Sequence, residues 1–228
     1  MYFHSRFEAG EQLARELFDS YRYENVAVVA LGDGSVAVGE PIAERLHCVL
    51  TLLMSENVEI PGERLDFGAV SQTGNFTYNS NLASSEIREY TSEYHGLMEE
   101  QKRQAFHKIN RLLGDGGVIN QDLLREHTVI LVSDGLNDLT VLDVALDFLK
   151  PIRIHKLVIA APIASVEMVD KVHMIADELH IIDVKANYLD TNHYYDQNDL
   201  PTREETISKI NKIVLNWRWL QKSTCVVL

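Results

Sequence analysis

At 228 residues the chain has room for one large domain or two small ones. Its 46% hydrophobic and 24% charged residues are the make-up of a globular protein, which excludes wholesale disorder, collagen-like repeats and a disulfide scaffold. Thirty-four acidic against 21 basic side chains leave a net charge of −13 without any Lys/Arg-rich run, so nucleic-acid binding is not expected.

Ser5 and Glu8 have capping-box spacing, and Phe7, Gly10, Ala14, Leu17, Phe18 and Tyr21 follow on one helical face. The apolar run from Asn25 to Leu31 then ends in Gly32-Asp33-Gly34-Ser35, as expected of a central parallel strand leading through a tight turn into a helix. That helix is placed from Val36 to Leu46, with Pro41 as a bend or a delayed start. Cys48 to Leu53 reads as a second strand. Between Met54 and Ser80 the rhythm breaks, and Phe67-Val70 and Phe76-Tyr78, joined by Ser71-Gln-Thr-Gly74, read as an antiparallel hairpin. Ser84 to Leu113, rich in Glu, Arg, Gln, Lys and Leu and free of proline, predicts one long, mostly solvated helix stopped by Gly114-Asp-Gly-Gly117.

Strand and helix alternate again from Thr128-Val132. A helix face follows at Val141, Leu142, Ala145, Phe148 and Leu149, then a strand from His155 to Ala161, a helix from Val166 to Leu179 and a strand at His180-Val184. The tail opens with capping-box spacing at Thr202 and Glu205 and continues as a helical stripe through Ile207, Ile210, Ile213, Val214 and Trp217. This alternation predicts an α/β fold with a doubly wound parallel sheet, carrying a hairpin or hood insertion, a long helix and a C-terminal helix. The expected organisation is one domain over residues 1–200, with the hood and long helix within 54–118, followed by a helix and tail at 201–228.

In such sheets ligands lie beyond the carboxyl ends of the strands. Two loops stand there: Gly32-Asp33-Gly34-Ser35, and Ser133-Asp134-Gly135-Leu136-Asn137-Asp138. Each sets small residues beside a carboxylate where helix amides face a ligand.

The stretch Thr128-Val-Ile-Leu-Val-Ser-Asp-Gly-Leu136 resembles the signature strand and loop of the type I phosphoribosyltransferases. The resemblance runs in order through Phe3 to Leu17, Val28 to Leu46, Pro61-Gly62, Phe67-Gly-Ala-Val70 and His193-Tyr-Tyr-Asp196, over roughly residues 3–200, and follows a bacterial branch of that family. It implies a ribose-phosphate or nucleotide-type site at the end of the central strand, with phosphoribosyl pyrophosphate as the family's donor and Mg²⁺ as the possible cofactor. The family's two ribose-holding acids align with Ser133 and Asp134. Its Thr-Gly-x-Thr phosphate turn aligns with Asp138-Leu139-Thr140-Val141, and its pyrophosphate loop, there Arg-Gly-Gly, with Asp33-Gly34-Ser35. A later Arg-Lys pair aligns with Glu56-Asn57. Tyr194 and Tyr195 are the candidates for stacking on a base, and Asp134 and Asp138 for holding a metal.

Three positions where the family places cations or phosphate donors therefore carry acids: Asp33, Glu56 and Asp138. A unit charge about 4 Å from another, at an effective dielectric near 20, interacts by roughly 4 kcal/mol, so reversing one phosphate contact costs about twice that before screening. The expected function is a phosphoribosyltransferase-like protein that is weakly active or non-catalytic, with a small phosphorylated metabolite or nucleotide as ligand. The alternative is an active Mg²⁺-dependent phosphoribosyltransferase acting on a nucleobase or related nucleophile. A remoter resemblance links Ser133-Asp-Gly-Leu-Asn-Asp138 to the metal loop of haloacid-dehalogenase-like phosphatases, but Leu31 stands where their nucleophilic Asp would be.

The histidines show no metal-binding spacing. Two cysteines, the lack of a secretory signal and the short apolar runs lead to the expectation of a cytoplasmic protein without membrane spans. A homodimer through the long helix is the expected assembly. Cys225-Val-Val-Leu228 resembles a prenylation box and is read as coincidence, since the bacterial resemblance leaves it without a modifying enzyme.

Overall fold

The computed structural model describes residues 2–60, 62, 66–113 and 120–224, with side chains defined to residue 213 and not at Leu113. The expected helix stop at residues 114–117, Pro61 and the box at residues 225–228 lie outside the described residues. In chain order the elements are α1 (Arg6–Tyr21), β1 (Val26–Ala30), α2 (Asp33–Leu46), β2 (Val49–Leu52), β3 (Ser55–Glu59), β4 (Asp66–Ser71), β5 (Phe76–Tyr78) and α3 (Ser84–Leu113). They continue as β6 (Thr128–Val132), α4 (Leu139–Leu149), β7 (Lys156–Ser165), α5 (Val166–Val172), β8 (Glu178–Lys185) and α6 (Arg203–Thr224). The chain divides into two compact units, one of residues 1–52, 120–137 and 153–228, the other of residues 53–119 and 138–152.

The first unit is built on a five-stranded sheet in the order β2-β1-β6-β7-β8, every pair parallel. The apolar runs dictate this: all five residues of β1 and all five of β6 are buried, and a strand buried on both faces belongs in the middle of a parallel sheet. Val28, Ile130 and Val158 on adjacent strands share one core with Leu13, Leu17 and Tyr21 of α1, Val38 and Ile42 of α2, and Ile213 of α6. α2 starts at Asp33 rather than Val36, because Gly32, with φ of +131°, turns the chain early enough for its carbonyl to accept from the Val36 amide. Pro41 lies inside this helix and does not end it.

Two further boundaries lie well away from expectation. α5 stops at Val172 instead of Leu179, because Asp177 clamps the next strand: its amide donates to the Leu157 carbonyl and its carboxylate accepts from the Leu157 amide. β7 runs ten residues to Ser165, four past the expected end at Ala161. Its extension is held by the loop after β6, where Leu136 bridges Ala164.

The second unit carries an antiparallel sheet in the order β3-β4-β5. The hairpin of β4 and β5 is as expected, and β3 is an addition to it. Ile60, Phe67, Leu82 and Met98 form its core, with Tyr90 and Tyr94 of α3 packed alongside. α3 is two helical stretches joined at Tyr94, whose φ of −111° and ψ of 19° leave helical geometry. Among the described residues no helix is long and apolar enough to cross a membrane.

α1 crosses α2 closely enough that Gly10 has no room for a side chain: a Cβ there would lie 2.3 Å from the Val38 carbonyl oxygen and 2.6 Å from Pro41 Cγ. Gly10→Ala is expected to cost about 1–3 kcal/mol of stability through this overpacking, measured as a shift of the urea-unfolding midpoint.

Candidate functional site

In the strand order found here the direction of winding reverses between β1 and β6, so the ends of these two strands are the topological switch point. The two loops singled out from the sequence follow those strands. Leu31 donates its amide to the Val132 carbonyl, and Ser133 donates its amide to Ala160, so both loops leave the sheet in register. Leu136 is fixed on both sides, donating to Ile163 and accepting from Ser165. Inside the second loop the Ser133 hydroxyl donates to the Gly135 carbonyl at 2.9 Å.

Asp134 is the centre of this arrangement. Its Oδ1 accepts from the Ser35 hydroxyl at 3.2 Å, and its Oδ2 accepts from Arg6 Nε at 2.8 Å. Gly34 lies against the carboxylate, where a Cβ would stand 2.2 Å from Oδ2, so a side chain there would displace the acid. The capping box at Ser5 sets Arg6 at the first position of α1. From there its side chain, 1% exposed, also donates from Nη2 to Asn192 Oδ1 at 2.5 Å and from Nη1 to Asp199 Oδ1 at 3.3 Å. The Arg6 backbone amide donates to the same Asp199 carboxylate at 2.9 Å, and the guanidinium lies 4.5 Å over the Tyr195 ring. Burial lowers the guanidinium pKa, but the hydrogen bond and charge of Asp134 and the hydrogen bond to Asp199 outweigh it, and the net shift is upward.

Residues 187–199 close over this loop. The Tyr195 hydroxyl donates to the Asp134 carbonyl at 2.5 Å, and Tyr188 and Thr191 leave no room for a side chain at Gly135. Burial pushes the Tyr188 phenol up to about 12 and raises that of Tyr195 further, so both stay protonated. The rings of Tyr194 and Tyr195 are 4% and 5% exposed and pack with Phe3, Ala9 and Ile163, which places these two stacking candidates in a core.

The acids at the expected phosphate positions have partners. Asp33, the first residue of α2, forms an ion pair with Arg203 of α6 at 2.7 Å. Arg203 Nη1 and Asp33 Oδ1 are both buried and meet outside hydrogen-bond geometry, and Arg203 Nε is buried without a hydrogen-bond partner among the described residues. In the second unit Glu56 pairs with Lys108 of α3, and Asp138 caps α4 by accepting from the Thr140 amide at 2.8 Å. Leu139 and Thr140 are buried in the first turn of that helix, while Asn137, the last residue of its segment in the first unit, is exposed.

Sequence reasoning identified both loops but missed Arg6, Asn192, Asp199 and Arg203. One signal was available. Arg6 and Arg203 stand in the first turns of helices, where a cation opposes the helix dipole by about 0.3–1 kcal/mol and needs a compensating acid.

Mg²⁺ demands near-octahedral oxygen ligands at about 2.0–2.1 Å. Both oxygens of Asp134 are engaged, and a dication about 4 Å from the Arg6 guanidinium would be repelled by roughly 8 kcal/mol at an effective dielectric of 20. The Asp138 carboxylate is engaged by the helix it caps. Among the described residues no three His, Cys, Asp or Glu side chains gather as a metal site. These residues do not fit Mg²⁺ in the arrangement they adopt.

Similarity in solved structures defines the fold. The protein TT1426 from Thermus thermophilus superposes with a TM-score of 0.70 at 22% identity, covering 95% of this chain and 99% of its own. The two proteins share one fold. Looser likenesses include a purine phosphoribosyltransferase from Pyrococcus horikoshii Ot3, with a TM-score of 0.44 at 11% identity and coverage of 85% and 89%. A hypoxanthine phosphoribosyltransferase from Staphylococcus aureus gives 0.42 at 12% identity, with coverage of 81% and 75%. Likenesses this loose carry no argument about a ligand. No family model and no curated protein matches the sequence.

Ionisation in the second unit can be read from pH. Burial raises the pKa of Asp143, helped by the charges of Asp147 and Asp138 and opposed by the Ser80 amide. A carboxyl whose folded-state pKa lies above its unfolded value stabilises fully below about pH 4, and that contribution is lost as pH rises through the folded-state pKa. Asp143→Asn is therefore expected to gain stability relative to the unaltered chain between about pH 4 and pH 7, measured by urea unfolding across that range.

Proposed function

We propose that the chain is a phosphoribosyltransferase-like protein whose site, at the ends of β1 and β6, takes a phosphorylated ribose or nucleotide weakly and without turnover. The observation that carries this reading is the state of Asp134. The carboxylate aligned with the family's ribose-holding acid already has one oxygen on Ser35 and the other on Arg6. A ribose diol must compete with a buried guanidinium for it, and a hydrogen bond to a charged group contributes about 1.5–3 kcal/mol.

The ligand's charge is tolerated better than the count of loop acids suggests. Asp33 is neutralised by Arg203 at the start of α2, whose N-cap Gly32 supplies no side-chain cap, so the positive end of that helix is left to a ligand's phosphate. The loop is close to neutral, so phosphate is admitted but not held strongly. Mg²⁺, where it takes part, arrives on the ligand's phosphates rather than on a carboxylate of this chain. A homodimer belongs to the same reading, and sedimentation equilibrium is expected to return the mass of two chains.

Calorimetric titration with phosphoribosyl pyrophosphate, with and without Mg²⁺, is expected to give no saturable heat below about 1 mM, a binding free energy weaker than about 4 kcal/mol. A micromolar dissociation constant, or transfer of phosphoribose to any nucleobase, would overturn the proposal in favour of an active transferase. Asp33→Asn frees Arg203 and is expected to tighten binding of inorganic pyrophosphate about fivefold in the same calorimeter, about 1 kcal/mol for one released ion pair.

A further inference from the structure

We propose that Arg6 is a tethered counter-cation that takes the place of a divalent metal, so that Asp134 is paired and oriented without an ion from solution. The inference goes beyond the ligand reading and does not depend on which ligand binds.

Three side-chain oxygens converge on the guanidinium: Asp134 Oδ2, Asp199 Oδ1 and Asn192 Oδ1, at 2.8, 3.3 and 2.5 Å from its nitrogens. Two carboxylates and an amide oxygen form the hard-oxygen donor set that Mg²⁺ or Ca²⁺ draws together. Here a side chain of the same polypeptide fills it. Two negative charges face one guanidinium, and the positive end of α1 adds to the balance, since the Arg6 backbone amide also donates to Asp199.

The guanidinium differs from an ion in what it permits. It cannot dissociate, and it stays charged throughout the physiological pH range. Its planar fork is fixed by the Tyr195 ring on one face, and the Gly34 backbone approaches so closely that a Cβ there would lie 2.9 Å from Nε. The carboxylates therefore share a cation at any metal concentration, and a free cation must displace the guanidinium to reach Asp134 Oδ2.

Mn²⁺ uptake by the full-length chain, followed as loss of the free-ion paramagnetic resonance signal, tests this without any phosphorylated compound. Its outcome is thus separate from the calorimetric titration. The unaltered chain and Arg6→Lys are expected to take up no stoichiometric Mn²⁺ at about 1 mM, and Arg6→Ala to bind one ion at least about tenfold more tightly than either. The added ion should disappear in Arg6→Ala combined with Asp134→Asn, which keeps the shape and removes one charge. Should Arg6→Ala not fold alone, about 10 mM Mg²⁺ is expected to restore its circular dichroism. Stoichiometric Mn²⁺ binding by the unaltered chain that Asp134→Asn abolishes would overturn the proposal. So would a folded Arg6→Ala that gains no ion, or an unfolded one that Mg²⁺ does not rescue.

Discussion

The first unit depends on one buried guanidinium. Arg6 joins the start of α1, the loop after β6 and the segment at residues 187–199 through a single charged group. Breaking a buried pair by removing one partner costs about 3–5 kcal/mol, because the remaining charge is stranded. Against a typical total of about 5–15 kcal/mol for a protein, that is a large fraction. The cation–aromatic contact with Tyr195 and the Tyr195 hydroxyl on the Asp134 carbonyl make the same three segments interdependent.

The same logic recurs at the other loop acids. Asp33 is met by Arg203, Glu56 by Lys108, and Asp138 by the amide end of α4. Counting acids along the sequence treats each as a bare charge and predicts strong repulsion of phosphate. The folded chain answers them one by one, so none of the three stands as a bare charge. That distinction lies in tertiary contacts, which a count of charges does not contain.

Much of the fold was legible because burial on both faces leaves a strong mark. The apolar runs of β1, β6 and β7 and the capping box at Ser5 identified the sheet and its first helix. β3 escaped because Ser55-Glu-Asn-Val-Glu59 is polar, as suits an edge strand, and only Val58 of it is buried. The α5–β8 boundary escaped because His173 to Asp177 carries apolar residues that continue the helical pattern, while the Asp177 clamp is a tertiary contact. The site was half legible for the same reason. Strand-end loops follow from topology, whereas Arg6 meets Asp134 across 128 residues and Asp199 across 193, separations at which no periodicity points from one to the other.

The ten-residue length of β7 sets where the Asp134 carboxylate stands. Because Leu136 is laced to Ile163 and Ser165 on the overhang of that strand, the loop bearing Asp134 behaves as part of the sheet and has little freedom to swing. The segment at residues 187–199 is held over it by side-chain bonds to Arg6 and the Asp134 carbonyl, by three backbone hydrogen bonds to Phe3 and His4, and by the burial of Tyr194 and Tyr195. The Asp134 carboxylate is therefore positioned by backbone pairing beneath it and by buried aromatic packing above it.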